Sequence, residues 1–198
     1  NCGFLGMLHV EIITERVKRE FGIEIIVSQP TARFAVILKN GRTVNIHSPA
    51  AFPDDHDVAE TREPWLRAYI IAPSAQAGHI FALPEEYEMS IISSDNFGES
   101  RIKVSVELPL RELMRDFYDR LKSTTSGYAS LDYEPLEYRQ AKVTRLDVLV
   151  NGERMPAFSR IVAEKRVERE SRAVVEKLKS IIPKELFSFK ITHVYNIK

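Results

Sequence analysis

One segment constrains the fold more than any other, because its side chains alternate strictly between apolar and polar. Successive side chains of a strand point to opposite faces of a sheet. The pattern therefore predicts a strand with one buried face and one open face. The apolar positions are Ile102, Val104, Val106 and Leu108, and the polar ones are Arg101, Lys103, Ser105 and Glu107.

The elements around this strand predict its topology. Strands are expected at 66–72, 90–94 and 128–133. A short helix over 74–83 would end at Pro84, and a second would begin after Pro109. The order strand, helix, strand, strand, helix, strand over 64–133 is that of a split βαβ, ferredoxin-like module, and the predicted fold class is α+β. The second helix is predicted from the helical spacing of Leu110, Leu113, Met114, Phe117 and Leu121.

The segments before this module predict a helix, a hairpin and a linker. A helix from Leu8 to Phe21 would be capped by Gly22. Asn40-Gly41, between two β-rich runs, predicts a hairpin whose two central residues both have positive φ. Residues 48–63 are rich in Pro, Ala and Asp without periodicity, which predicts an interdomain linker.

The last segment, 134–198, predicts another small domain. A strand over 143–150 would turn at Asn151-Gly152 and return over 155–158. Ser159 is expected to cap a long helix that runs from 160 to about 182.

Composition narrows the function classes. Of 198 residues, 44% are apolar and 28% charged, which is typical of a globular protein. No apolar run approaches the roughly 18–20 residues that a membrane-spanning helix needs, and the single Cys2 excludes an internal disulfide. The net charge is zero, but residues 1–98 hold 8 basic and 13 acidic side chains, and 99–198 hold 20 and 15. This asymmetry indicates either a polyanionic partner for the second half or two solvated surfaces of opposite sign.

The sequence offers little for catalysis. It contains neither a phosphate-binding P-loop nor a Gly-x-Gly-x-x-Gly motif, and its five histidines do not have metal-ligand spacing. Asp54, Asp55 and Asp57 could bind a hard cation, but their spacing is not that of a calcium loop, and a solvated linker is favoured. We therefore predict no catalytic residue and no metal in this chain.

Two segments are candidate RNA-binding sites. The first offers a cation, hydroxyls, a glycine that lets backbone N–H groups approach a ligand, and an aromatic ring, all of which suit contacts with phosphate and sugar. The alternative interpretation of this segment is a hydrophilic turn after a helix. The residues of this first candidate are Lys122, Ser123, Thr124, Thr125, Ser126, Gly127 and Tyr128.

The second candidate is the basic face of the predicted helix 160–182. An excess of basic residues opposite an apolar stripe could follow an RNA backbone. Pairing with Glu residues three or four positions away is an equally good interpretation. The candidate residues are Arg160, Lys165, Arg166, Arg169 and Arg172.

The run from Leu121 to Ser130, with Ser-Thr-Thr-Ser-Gly-Tyr at its centre, resembles the signature of the LepA (elongation factor 4) family of translational GTPases. Residues 3–16, Leu149-Val150-Asn151-Gly152 and 176–183 match the same family in the same order. The resemblance implies that 1–47 is the back half of an elongation-factor-G-type domain III. It also implies that 64–133 is a ferredoxin-like domain V, and that 134–198 is an incomplete LepA-specific C-terminal domain.

The resemblance also implies a function and partners. The family is a ribosome-dependent GTPase, proposed to remodel tRNA-bound ribosomes by back-translocation or to act in initiation or subunit maturation. GTP and Mg²⁺ would bind a GTPase domain preceding this chain, so this chain should not be catalytic alone. The implied partners are ribosomal RNA and tRNA, not DNA, with peripheral membrane association allowed by the family only. A monomer in the bacterial cytoplasm, or in an organelle, is expected.

Two segments depart from the family's pattern, which puts RNA contacts from them in question. Residues 82–88 are acidic and interrupted by proline, and 163–166 replace a His-Arg-Asp-Lys-like run, with Ser171 in place of a glycine. Two rival interpretations follow: a structural lever for the GTPase, or a protein–protein adaptor of α+β modules that has lost RNA contact.

Overall fold

The computed structural model describes residues 7–25, 32–181 and 191–194. The chain divides into two compact units, Asn1–Thr31 and Ala32–Lys198. In the first, helix α1 spans Met7–Phe21. Gly22 has a φ of +66° and its N–H donates to the carbonyl of Lys18 at 2.9 Å, which confirms the predicted helix and its glycine cap.

The second unit contains the predicted split βαβ module. Its elements are β3 (Val58–Pro73), α2 (Ala77–Ala82), β4 (Ser90–Asn96), β5 (Arg101–Pro109), α3 (Leu110–Glu112), a π-helical stretch (Leu113–Phe117), α4 (Tyr118–Thr124) and β6 (Ser130–Gln140). The strands lie in the order β4-β5-β3-β6, and every neighbouring pair is antiparallel, which confirms the ferredoxin-like topology and the α+β class. The three helical pieces after β5 are consecutive, and together they are called helix 110–124.

The core of this module lies on one face of the sheet. The four apolar side chains of the alternating segment are buried there, as predicted, at 0–9% exposure. Ile80 of α2 and Phe117 and Leu121 of helix 110–124 cover them and are fully buried. The opposite face carries the polar side chains of the alternation, of which Ser105 and Glu107 are 8% exposed and Lys103 is partly exposed.

Strand β3 corrects the predicted linker over 48–63. It begins at Val58, and its first residues pair with β1 (Phe34–Leu38), which pairs in turn with β2 (Thr43–Ile46). The two predicted domains flanking the linker therefore share one six-stranded sheet. The strand predicted at 66–72 is thus the second part of β3. Its first part lacks the apolar alternation because Thr61 and Glu63, at 5% and 0% exposure, fill the inward positions with polar side chains.

Both predicted hairpins are present, with different turns. Asn151 and Gly152 have φ values of +52° and +87°, as expected of a tight two-residue turn. At the first hairpin Gly41 alone has a positive φ, +82°, and the Asn40 side chain instead accepts the N–H of Arg42 at 3.1 Å. The prediction of two positive φ values is therefore wrong at that turn.

A second sheet has four strands, and β7 (Val143–Val150) pairs with each of the other three. Its other strands are β8 (Glu153–Arg154), β9 (Arg160–Ala163) and β10 (Ile191–Val194). Helix α5 spans Val167–Ile181, so the predicted start of this helix near 160 is wrong. Residues 160–163 form a strand because Val162 and Ala163 bury their side chains while pairing with β7. The return of the hairpin is also shorter than predicted, since 156–158 form a 3-10 turn.

Candidate nucleic-acid interface

The first candidate, residues 122–128, is the turn that ends helix 110–124. Ser126 and Gly127 have φ values of +53° and +83°, and the N–H of Gly127 donates to the carbonyl of Lys122 at 2.7 Å. The buried Thr125 hydroxyl donates to the carbonyl of Leu121 at 2.7 Å and accepts the N–H of Ala129 at 3.2 Å. These contacts form a left-handed helix end that fixes where the exposed side chains lie.

Most polar groups of this turn are used within it, which corrects one expectation. The hydroxyls of Ser123 and Thr124 both donate to the carbonyl of Arg120 at 2.9 Å. The N–H groups of Gly127 and Tyr128 donate to carbonyls of the same turn. A set of free backbone donors around Gly127 is therefore not formed, because the helix end needs those donors itself.

Five side chains of the turn are at least partly accessible to solvent. Tyr128 is 72% exposed, Ser123 and Ser126 are exposed too, and Lys122 and Thr124 are partly exposed. The Nζ atom of Lys122 lies 3.3 Å from the carbonyl oxygen of Gly127 and 5.5 Å from the ring centroid of Tyr118. A cation, a hydroxyl and an aromatic ring thus lie together at one end of the module. Such groups can contact phosphate and stack on a base.

Replacing Gly127 by alanine is expected to lower the free energy of unfolding by about 1 kcal/mol, because a Cβ disfavours positive φ. A Cβ at Gly127 would meet no atom within 4 Å, so the loss would come from the backbone alone. Gly78 in α2 is the control: its Cβ would be equally unhindered and its φ is not positive, so alanine there should stabilise slightly. Urea unfolding of both variants checks this, and equal effects would contradict it.

The five cations of the second candidate do not form one basic helix face. Arg160 is exposed on strand β9, and Lys165 precedes α5, 3.8 Å from Glu88. Arg166 is mostly buried and bonds to the carboxylate of Glu112. Arg169 is exposed on α5 and makes no ion pair with a described residue, whereas Arg172 pairs with Glu168 at 3.0 Å. Pairing with Glu residues therefore describes Arg166 and Arg172, whereas the exposed Arg169 remains a candidate for RNA contact.

Glu86 connects the two candidates. Its carboxylate accepts two hydrogen bonds from Arg120 of α4, and its backbone carbonyl accepts one from Arg166 at 3.1 Å. The bonds from Arg120 lower the pKa of Glu86, and the charges of Arg169 and Arg115 contribute in the same direction. The start of α5 and the end of helix 110–124 therefore meet around one acidic side chain.

A buried ionic cluster, not anticipated from the sequence, lies beneath Glu86. Arg111, which is 10% exposed, binds the carboxylates of Glu63 at 2.8 Å, Glu88 at 2.6 Å and Glu112 at 2.5 Å. Glu63 and Glu112 are 0% and 1% exposed. For Glu63, burial outweighs the attraction of Arg111 and raises the pKa to about 7.

The acidic segment 82–88 contacts the same helix. Glu86 and Glu88 bind arginines of helix 110–124, and Arg115 of that helix lies 3.7 Å from Glu170 of α5. Two of the segment's three carboxylates are therefore paired within the fold, although both are partly exposed, and Glu85 is exposed. A pattern of Glu-Glu-x-Glu facing Arg-Glu-x-x-Arg was available in the sequence, but nothing in the spacing shows that the two meet.

The open face of the sheet carries matched charges. Glu107 of β5 binds Arg67 and Arg139, each at 2.7 Å, and their hydrogen bonds lower its pKa. Beside them, the Nζ atom of Lys103 lies 4.6 Å from the ring of Tyr69, whose hydroxyl donates to Glu134. The polar half of the alternating segment was the signal for this face. Because acids and bases alternate on it, it is a weaker polyanion site than the helix end.

Two of the three aspartates at 54–57 accept hydrogen bonds from side chains of strand β7. Asp54 accepts from Arg145 at 3.1 Å, and Asp55 accepts from the hydroxyl of Thr144 at 3.3 Å. Arg145 also donates to the carbonyl of Phe52. This part of the predicted linker is thus bound to β7. Within residues 7–25, 32–181 and 191–194, no cluster of three His, Cys, Asp or Glu has metal-site geometry, and no helix is long and apolar enough to cross a membrane.

Comparison with known proteins agrees with this architecture. Residues 60–149, from β3 to β7, match the family model of the elongation factor G C-terminus. Elongation factor 4 of Chlamydia trachomatis serovar L2 is 40% identical over 197 residues, which are 100% of this chain and 33% of that protein. Elongation factor 4 of Clostridium novyi is 41% identical over 190 residues, 96% of this chain and 32% of that protein.

The likeness to a solved structure is weaker. A crystal structure of a protein from Thermus thermophilus covers 69% of this chain and 34% of its own, with a TM-score of 0.49 and 16% identity. The assignment therefore comes from the sequence relatives and the family model. The chain spans about a third of the length of the curated relatives it matches. Over that third, this chain is a member of the elongation factor 4, or LepA, family of translation factors.

Proposed function

We propose that this chain is the RNA-facing part of a LepA-type translation factor, which binds the ribosome and reaches toward tRNA. Identity near 40% to elongation factor 4 along the whole chain carries the proposal. The accessible Lys122, Ser126 and Tyr128 indicate where contact would occur, as does the exposed Arg169, which makes no ion pair with a described residue. Electrostatic contact with phosphates, with one ring available for stacking, would position the RNA without reading its sequence.

The proposal extends to the parent protein. GTP and Mg²⁺ would bind outside the residues of this chain, and the nucleotide state would decide when these domains engage the ribosome. Remodelling of tRNA-bound ribosomes by back-translocation, or a role in initiation or subunit maturation, is the proposed outcome. The second unit would then combine a domain of elongation-factor-G type V with part of a LepA-specific domain, working in the cytoplasm or in an organelle.

Co-sedimentation with purified ribosomes over a salt series tests the proposal. Counterion release predicts that the logarithm of affinity falls linearly with the logarithm of salt concentration. The variant Lys122→Ala/Arg169→Ala should bind more weakly and lower the slope by about two units, one for each lost phosphate contact. The variant Lys39→Ala/Arg42→Ala removes the same charge at the exposed first hairpin turn and should leave the slope unchanged.

Two results would contradict the proposal. Absence of binding at low salt by the folded chain would show that it does not contact the ribosome by itself. Binding that is insensitive to both salt and ribonuclease would favour the protein–protein adaptor, because such contacts do not release counterions.

A further inference from the structure

The ion pair between Glu86 and Arg120 has the geometry of a phosphate contact. The Nε atom of Arg120 lies 3.0 Å from one carboxylate oxygen of Glu86, and an Nη2 hydrogen bond of 2.5 Å reaches the other. This two-pronged arrangement is the one by which a guanidinium binds either a carboxylate or a phosphate. The two side chains are 44% and 45% exposed, so solvent and ligands reach the pair.

The surrounding groups favour an anion at this position. Arg169 makes no ion pair with any described residue and contributes a positive charge at the Glu86 carboxylate. Arg120 lies two residues before Lys122, and its carbonyl accepts the hydroxyls of Ser123 and Thr124. The pair therefore lies between the exposed helix end and α5, where an RNA backbone that touched both would pass.

The Glu86 side chain can leave without unfolding the segment that carries it. The backbone of Glu86 is held separately: its N–H donates to the carbonyl of Leu83 at 3.0 Å, and its own carbonyl accepts from Arg166. Next to it, Tyr87 is anchored by its ring against Phe117 and by its hydroxyl on Asp116 at 2.9 Å. An exposed ion pair contributes little to stability, so a better ligand can replace Glu86 on Arg120 without disturbing the fold.

We infer that Arg120 forms a binding site for a phosphate of the RNA backbone, in which the carboxylate of Glu86 is the resident occupant. An RNA phosphate replaces Glu86 on Arg120 when the chain binds. Glu86 then lowers the affinity for RNA in general and leaves only those RNAs that contact the surface at several points. This inference rests on the proposed RNA-facing function and identifies Arg120 and Glu86 as determinants of its affinity.

A double-mutant cycle with a short synthetic RNA duplex tests the inference. Glu86→Gln removes the competing charge and should raise the affinity about threefold to fivefold, as the loss of an exposed ion pair allows. In the Arg120→Ala background the same substitution should give less than about a twofold gain, because the site is absent. Glu85→Gln is the matched control: this neighbour is exposed, makes no ion pair with a described residue, and changes the net charge equally.

Equal gains from Glu86→Gln and Glu85→Gln would overturn the inference, because they would reflect net charge alone. A gain from Glu86→Gln that persists in Arg120→Ala would also overturn it, as would absence of RNA binding by every variant. A gain specific to Glu86→Gln without ribosome binding would uphold the phosphate site and contradict the proposed function. Ribosome binding without a gain specific to Glu86→Gln would support the proposed function and contradict the phosphate site. Thermal unfolding of each variant confirms that the compared proteins are folded.

Discussion

Replacing Arg111 by alanine is expected to lower the free energy of unfolding by about 3–5 kcal/mol, the usual loss when one partner is removed from a buried ion pair. Arg111 binds three carboxylates, and two of them, on Glu63 and Glu112, are almost completely buried. Without the guanidinium, these carboxylates would stay in the core with less compensation or take up protons. Urea unfolding at neutral pH measures the difference.

The control for Arg111 is an arginine on the surface. Arg62→Ala breaks an ion pair with Glu60 at 2.7 Å, but the Arg62 side chain is 48% exposed, so only a small loss of stability is expected. A similarly small loss for Arg111→Ala would show that the cluster does not stabilise the fold.

Stability is expected to fall as the pH rises through the range where Glu63 titrates. Burial raises its pKa from 4.5 to about 7, so the folded state binds a proton more tightly than the unfolded state does. This contribution is fully present below pH 4.5 and is lost as the pH rises toward 7 and beyond. It amounts to at most about 3 kcal/mol, at roughly 1.4 kcal/mol per pKa unit.

Urea unfolding of the parent chain and of Glu63→Gln between pH 5 and 8 separates this contribution from the other groups. Glutamine does not titrate and can still accept a hydrogen bond from Arg111. The parent should therefore lose stability relative to the variant as the pH rises. The groups with lowered pKa values, such as Glu86 and Glu107, titrate below pH 4.5 and do not disturb the comparison. Parallel pH profiles for the two proteins would contradict the prediction.

The sequence predicts the fold best where binary patterning and turn chemistry agree. The alternation at 101–108 identified β5 and its buried face, and Asn151-Gly152 identified the turn after β7. It fails at 58–63 because the inward side chains there, those of Thr61 and Glu63, are buried but polar. It fails again at 160–163. These four residues lead into a basic segment with helical spacing, but they pair with β7 and form a strand.

The candidate site was predicted as two segments and not as a surface. The accessible Lys122 and Tyr128 follow from local sequence, since a helix end with polar residues is expected to face solvent. The meeting of α5 with helix 110–124 around Glu86 depends on contacts between residues 80 positions apart, such as Arg166 with Glu86. Such contacts leave no periodicity in the sequence. Arg166 was accordingly predicted to face RNA, whereas the structure buries it against Glu112.

The unbroken strand β3 decides how this protein can be dissected. At about 3.3 Å per residue, its sixteen residues from Val58 to Pro73 extend roughly 50 Å. A shortened protein that began at residue 64, where composition suggests a boundary, would lack β1 and β2 and would leave Arg139 and Gln140 at the end of β6 without pairing partners. It would also delete Glu63, which Arg111 binds. A cut before Ala32 keeps both the strand and the cluster whole, so comparisons of isolated domains in this family should begin there.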